Sequence, residues 1–147
     1  MKTSKRTNPP VYEFRFLAVC ESAQIKKGGI NASLIDIVNN LVFTSFPCDK
    51  TLYAVVSLIS TPDKWGKPLD LMRWQLGKDG NRHALPGGSG TPLVIPNETY
   101  GACCIPYSIE IPFHAPGFYG FDLFDRDGVF GEKENLLSSF LFSVMKE

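Results

Sequence analysis

The chain has 147 residues, of which 44% are hydrophobic and 20% are charged, as is ordinary for a soluble globular protein. Its 15 basic and 15 acidic side chains cancel, which excludes a global field favouring nucleic acid or an anionic membrane. The 11 phenylalanines, 11 prolines and 13 glycines favour many short strands over long helices.

The start of the chain, residues 1–10, is basic and ends in two prolines. We predict a disordered basic tail over 1–10 and a single β-sandwich domain over 11–147. Glu13 and Arg15 interrupt the apolar run that a signal peptide needs, and no segment approaches the roughly 20 apolar residues of a membrane span. We therefore expect a cytoplasmic protein that binds neither nucleic acid nor a membrane.

Alternation of apolar and polar residues predicts the first strands. The even positions from Tyr12 to Cys20 are apolar, and the second half of this segment is apolar on both sides, as in a covered strand. A glycine hairpin at 28–29 leads to a return strand over 30–38. An irregular crossing, 39–47, then precedes a buried strand over 51–59.

The middle of the chain alternates less regularly. Residues 69–76 form a predicted strand whose apolar side includes Trp74, and a hairpin turn follows at 78–81. A glycine-rich loop at 86–90 precedes a short predicted strand near 93–95.

The clearest alternation runs from Ile105 to Phe113, where the apolar residues occupy odd positions. Pro106 and Pro112 fall at even positions, and a proline nitrogen has no hydrogen to donate to a sheet. We expect these prolines at strand ends, at a bulge, or where the amide faces solvent.

The last strands complete the predicted fold. Tyr119, Phe121 and Leu123 share one face of a strand that follows a Pro-Gly corner. Residues 136–145 fit either a strand or a short helix, and their alternating aromatic and β-branched residues favour the strand. The chain is thus predicted to be an all-β, immunoglobulin-like antiparallel β-sandwich of seven to nine strands.

Three aspartates near the end of that strand suggest calcium. Asp125, Asp127 and Gly128 match part of an EF-hand loop, but Leu123 stands where the first ligand belongs, and no apolar helices flank the loop. Asp122 points outward from the predicted strand and is a further candidate ligand. A hairpin turn accounts for the same residues, so we assign no metal site.

Signs of catalysis are few. His83 and His114 are the two histidines, and they form no metal-binding pair in the sequence. A Cys–His dyad between Cys103 or Cys104 and His114 is an alternative, although no family signature surrounds either cysteine. We expect reduced cysteines and assign no catalytic, cofactor-binding or metal-binding residue.

Three aromatic residues are candidates for a partner surface. Trp65 lies in a predicted long loop, and Phe118 and Phe124 point outward from a predicted strand. Exposed aromatics on a sandwich can stack on sugars or form a protein interface. In the alternative, Trp65 caps the core and the two phenylalanines are covered by a neighbouring strand or subunit.

Four segments carry a further signal: F-R-F-L-A-V-C-E-S-A-Q at 14–24, I-N-A-S-L-I-D-I-V at 30–38, L-Y-A-V-V-S-L at 52–58 and P-G-F-Y-G-F-D-L-F-D-R-D-G at 116–128. Together they resemble a family of uncharacterised bacterial β-sandwich proteins. The resemblance implies an immunoglobulin-like fold and a bacterial cytoplasmic setting, with no catalytic residues to transfer. Residues 86–90 and 103–104 depart from the family pattern.

The sequence predicts a non-catalytic binding or assembly module without a cofactor. Its partner is a protein or a second copy of the chain, contacted through exposed aromatic residues. A calcium-dependent module like a C2 domain, using Asp122, Asp125 and Asp127, is the first alternative. A cysteine-dependent hydrolase using Cys103 or Cys104 is the second.

Overall fold

The computed structural model describes residues 12–25, 31–60, 68–85, 91–94, 102–125 and 136–147. Within these ranges the chain forms ten β-strands in two sheets. The strands are β1 (Tyr12–Ile25), β2 (Ala32–Ile37), β3 (Asn40–Phe43), β4 (Cys48–Ser60), β5 (Pro68–Leu76), β6 (Arg82–Ala84), β7 (Thr91–Val94), β8 (Ala102–Phe113), β9 (Gly117–Asp125) and β10 (Leu136–Lys146). The predicted basic tail and the glycine-rich loop at 86–90 lie outside the described residues.

The two sheets have the strand order of an immunoglobulin-like sandwich. One sheet has the order β2-β1-β4-β8, and the other has the order β3-β10-β9-β5-β6, with β7 also paired to β5. The neighbours β5-β9-β10 and β4-β8 correspond to the C-F-G and B-E strands of that fold. The predicted fold class is confirmed.

The strand count exceeds the predicted seven to nine because short strands are hard to see in an alternation pattern. The clearest case is β3, which lies in the segment 39–47 that was predicted to be an irregular crossing. It pairs with β10 in parallel, whereas the other ladders are antiparallel. In the described part of the chain, no helix is long and apolar enough to cross a membrane.

The core lies between the sheets and is rich in aromatic rings. The ring of Phe113 has its centroid 4.9 Å from that of Tyr119, 5.5 Å from that of Phe43 and 6.2 Å from that of Phe142. The Tyr119 hydroxyl donates a 2.6 Å hydrogen bond to the carbonyl oxygen of Ala115, as in the tyrosine corner of sandwich domains. The odd positions from Tyr107 to Phe113 in β8 and from Tyr119 to Leu123 in β9 face this core, as predicted.

Residues 136–146 form a strand, so the preferred interpretation of this segment is confirmed. Phe142 and Val144 belong to the core, and Phe140 packs against it. The period of two therefore places Leu141 and Met145 on the outer face of the six-stranded sheet.

The first strand changes its phase along its length. The prediction placed the even positions of this strand on one apolar face, but a register shift between Phe14 and Phe16 turns the odd residues Leu17 and Val19 into the core. A β-bulge has this effect because one extra residue moves every following side chain to the other face. The even residue Cys20 is buried on the outer side.

The core-facing side of β5 is not the side that its alternation of apolar and polar residues predicts. Leu69 and Leu71 belong to the core, so the odd positions of β5 face inward and Trp74 faces outward. Arg73 therefore points inward, and its Nη1 donates to the carbonyl oxygen of Glu110 on the other sheet at 3.3 Å. Arg73 thus shares the inner side of β5 with Leu69 and Leu71, and it caps a backbone carbonyl there.

That contact helps to block the free edge of β8, which pairs with β4 alone among the described strands. Pro106 and Pro112 cannot donate to β4, so the even positions of β8 direct their backbone groups to the free edge. The same phase exposes the Glu110 carbonyl, which Arg73 binds. Prolines and a covering side chain are common means of preventing edge-to-edge pairing.

Candidate functional site

The outer face of the six-stranded sheet carries a group of half-exposed apolar side chains. The exposed fractions of its members lie between 38% and 56%. They come from four strands: Val42 of β3, Leu141 and Met145 of β10, Phe118 of β9 and Leu76 of β5. We call these five residues the apolar face.

The strand register makes this group contiguous. Val42 and Met145 are direct partners in the parallel ladder. Phe118 lies opposite Ser143, and therefore diagonally between Leu141 and Met145. Direct partners in a sheet have Cβ atoms about 5 Å apart and diagonal neighbours about 7–8 Å apart, so these side chains form one surface.

Two polar side chains inside the apolar face form a hydrogen bond with each other. Ser143 Oγ donates a 2.7 Å hydrogen bond to Asn40 Oδ1, its partner in the parallel ladder. Neither residue carries a charge, and neither do the five members of the face. A surface that covered the face would therefore leave few polar groups without a partner, which keeps the desolvation cost low.

A charged cluster borders the apolar face. Arg82 of β6 reaches across β5, with its guanidinium carbon 4.5 Å from the ring centroid of Trp74. Its Nη1 lies 2.6 Å from both carboxyl oxygens of Asp122 on β9. Ser139 Oγ on β10 donates to Asp122 Oδ1 at 2.6 Å. The cluster neutralises a buried carboxylate and ties the short edge strand β6 to the sheet.

The close packing of this cluster depends on a glycine. Gly120 lies opposite Trp74 in the register of β5 and β9. A Cβ atom on Gly120 would lie 2.3 Å from Cζ2 of the indole ring and 2.8 Å from the carbonyl oxygen of Phe140. Only glycine at this position therefore allows the indole ring of Trp74 to pack directly against the backbone of β9.

A groove opens at one end of the apolar face. It has a volume of about 530 Å³ and is lined by Leu76 and Phe118, by the turn after β5, by His83 and by the corner at 115–117. The groove shares two residues with the apolar face, so that surface is indented rather than flat.

The turn beside the groove is held by one carboxylate. The backbone N–H of Asn81 donates to Asp79 Oδ1 at 2.9 Å, and His83 Nε2 lies 3.1 Å from the same oxygen. These hydrogen bonds, that from Asn81 first, lower the pKa of Asp79 to about 2. The predicted hairpin turn at 78–81 is confirmed, with Gly80 at a φ of 81°.

The structure separates the aspartates that were candidates for calcium. Asp122 lies on the outer face as predicted, but its side chain is only 4% exposed, and Arg82 and Ser139 occupy its oxygens. Asp125 is three positions further along β9 and faces the opposite side. Asp127 lies outside the described residues. Among the described ranges, no three or more His, Cys, Asp or Glu side chains are grouped so as to hold a metal ion.

The same strand geometry separates the candidate Cys–His dyad. Cys103 and Cys104 lie near the start of β8, and His114 directly follows its end at Phe113. The strand from Cys104 to Phe113 spans about 30 Å at about 3.3 Å per residue. The two cysteines are therefore too far from His114 to form the dyad. Elsewhere in the described chain, Cys20 and Cys48 are free thiols, and burial raises the pKa of Cys20.

The two outward phenylalanines differ in exposure. Phe118 is 51% exposed, whereas Phe124 is only 4% exposed. Phe124 is paired on both sides, with Asp70 of β5 and with Leu136 of β10, and is therefore enclosed. Phe118, by contrast, lies near the start of β9. Of the two alternatives, exposure holds for Phe118 and cover by neighbouring strands holds for Phe124. Trp65 lies outside the described residues.

The aliphatic members of the apolar face were missed by reasoning from the sequence. The alternation that placed Phe142 and Val144 inward already placed Leu141 and Met145 outward. The sequence pattern did not predict that Val42 lies beside them. Val42 reaches Met145 only because β3 pairs with β10, and these strands are far apart in the sequence.

Comparison with known proteins finds similarity among solved structures. No protein-family model matches the chain, and no curated protein sequence matches it. Among solved structures, the chain is similar to the CARDB domain of the PF1109 protein from Pyrococcus furiosus, which was crystallised in complex with di-metal ions. The likeness has 11% identity and a TM-score of 0.44, and covers 92% of this chain and 97% of that one. Membership of the bacterial family that the sequence resembles stays a prediction.

Proposed function

We propose that this chain is a non-catalytic binding module that contacts a protein partner through the apolar face. The observation that carries the proposal is a contiguous, uncharged surface of five half-exposed apolar side chains. Each of the five side chains is between 38% and 56% exposed, so together they leave on the order of a few hundred Å² of apolar surface in water. Patches of this size on a monomer are often functional.

The composition of the apolar face also supports a protein partner. Interface centres are depleted of charged residues and enriched in aromatic residues and methionine. Phe118 and Met145 belong to the apolar face, and Arg82 and Asp122, which border it, neutralise each other at 2.6 Å. The groove beside Phe118 adds a recess in which a partner side chain can be enclosed.

An affinity experiment tests the proposal. The full chain is immobilised and exposed to an extract of its source organism, and the retained proteins are identified by mass spectrometry. Leu141→Glu introduces a charge into the apolar face. Ile37→Glu is the matched control, because Ile37 is 52% exposed on the other sheet. We expect a partner, which includes further copies of the chain, that Leu141→Glu loses and Ile37→Glu keeps. Equal retention by both variants contradicts the proposal.

A further inference from the structure

We infer that the partner of the apolar face is a second copy of this chain, bound face to face across a two-fold axis. The inference rests on the proposed function and names the occupant of the same surface. In such a dimer the same patch of both copies meets itself, so the patch must be compatible with its own charge, area and shape.

The charges permit this contact. The chain has no net charge, and none of the five residues of the apolar face is ionisable. The five residues therefore meet their counterparts without the like-charge repulsion that opposes self-association of a charged patch, and Lys78 of the groove is a charged side chain at their border. The polar pair inside the face, Asn40 and Ser143, keeps its 2.7 Å hydrogen bond when the surface is covered.

The area matches what a stable dimer needs. A standard interface buries about 800 Å² on each partner, of which about 57% is apolar, or roughly 450 Å². The apolar face offers on the order of a few hundred Å². Its size is thus of the same order as the apolar part of an interface of standard size.

The shape also fits a surface that packs on itself. An isologous interface needs both protrusions and a recess within one patch. Leu141 and Val42 are the two most exposed members of the face, and the groove of about 530 Å³ opens beside Phe118 and Leu76. Side chains of one copy therefore have a recess to enter on the other.

Pairing of sheet edges is a less suitable route to a dimer. β8 is the longer edge strand of the four-stranded sheet, and Pro106 and Pro112 remove donors from its free edge. Arg73 binds the Glu110 carbonyl on the same edge at 3.3 Å. Face-to-face packing through the apolar face avoids this blocked edge.

Sedimentation velocity of the purified full chain tests the inference. Between about 1 and 300 µM, the average mass is expected to rise from 16.3 kDa towards twice that value. Leu141→Glu and Met145→Glu are expected to raise the dimer dissociation constant by about 100-fold or more, because the two-fold axis brings two new carboxylates into one interface. Ile37→Glu is expected to change it by less than about twofold.

The outcomes separate this inference from the proposed function. Near-ultraviolet circular dichroism first establishes that each variant keeps its tertiary packing, and two face variants are used in case one fails to fold. A wild-type chain that stays monomeric at about 300 µM overturns the inference. So does a dimer that both face variants preserve. If the chain is monomeric but the face variants lose a different protein from the extract, the second copy is excluded and the binding function remains.

Discussion

Replacing Arg82 by methionine tests the charged cluster on the outer face. Arg82→Met keeps a long apolar stem over Trp74 but removes the charge beside Asp122, whose side chain is 4% exposed. Breaking a buried ion pair costs about 3–5 kcal/mol, because the remaining charge is left without compensation. Arg82 is 44% exposed, so solvent already screens its side of the pair, and Ser139 still donates to the carboxylate. We therefore expect a loss of about 2 kcal/mol in the free energy of unfolding.

Urea unfolding and a double-mutant cycle measure this effect. Arg82→Met is compared with Asp122→Asn and with the double variant, in which no buried charge is left alone. The double variant should lose about 1 kcal/mol less than the sum of the single variants. In a thermal scan, Arg82→Met should lower Tm by roughly 4–8 °C for a domain of this size. A loss below about 0.5 kcal/mol, or additive effects of the two changes, would refute the reasoning.

Three further predictions concern other contacts. Gly120→Ala should destabilise the fold by about 1–3 kcal/mol in thermal unfolding, because its Cβ would lie 2.3 Å from Cζ2 of Trp74; an unchanged Tm contradicts this. Tyr119→Phe should lower the free energy of unfolding in urea by about 1 kcal/mol, because the Ala115 carbonyl loses its 2.6 Å hydrogen bond. An unchanged free energy of unfolding would contradict a stabilising role of this hydrogen bond. The pKa of Asp79 is lowered from 3.8 to about 2, so its contribution to stability is present above about pH 4 and lost as the pH falls towards 2. Asp79→Asn should therefore be less stable than the wild type near pH 6, with a gap that narrows as the pH falls to 2, and an equal gap at both pH values contradicts the assignment.

Alternation along single strands carried the prediction of the fold. β8 and β9 have uninterrupted period-two patterns, so their buried residues were predicted before the sheets were known. β1 shows the limit, because the bulge after Phe14 reverses the pattern, and the sequence around it has no distinguishing residue. β5 shows another limit. Arg73 faces inward with Leu69 and Leu71, and the Glu110 carbonyl oxygen to which it donates is far away in the sequence.

The candidate site was less predictable because it joins distant segments. The outward positions of Leu141 and Met145 follow from their own strand, but Val42 reaches them only through the parallel pairing of β3 with β10. The Arg82–Asp122 pair joins residues 40 positions apart in the sequence. Pairwise contacts of this kind depend on strand order, which composition and periodicity do not specify.

The most direct test of the apolar face as an interface is a methyl NMR dilution series of the full chain. Methyl signals of Val42, Leu141 and Met145 report on this surface, and those of Ile35 and Ile37 report on exposed positions of the other sheet. We predict that the first group shifts between about 10 µM and 1 mM while the second group stays constant. Constant signals from Val42, Leu141 and Met145, or shifts confined to Ile35 and Ile37, would contradict self-association through the apolar face.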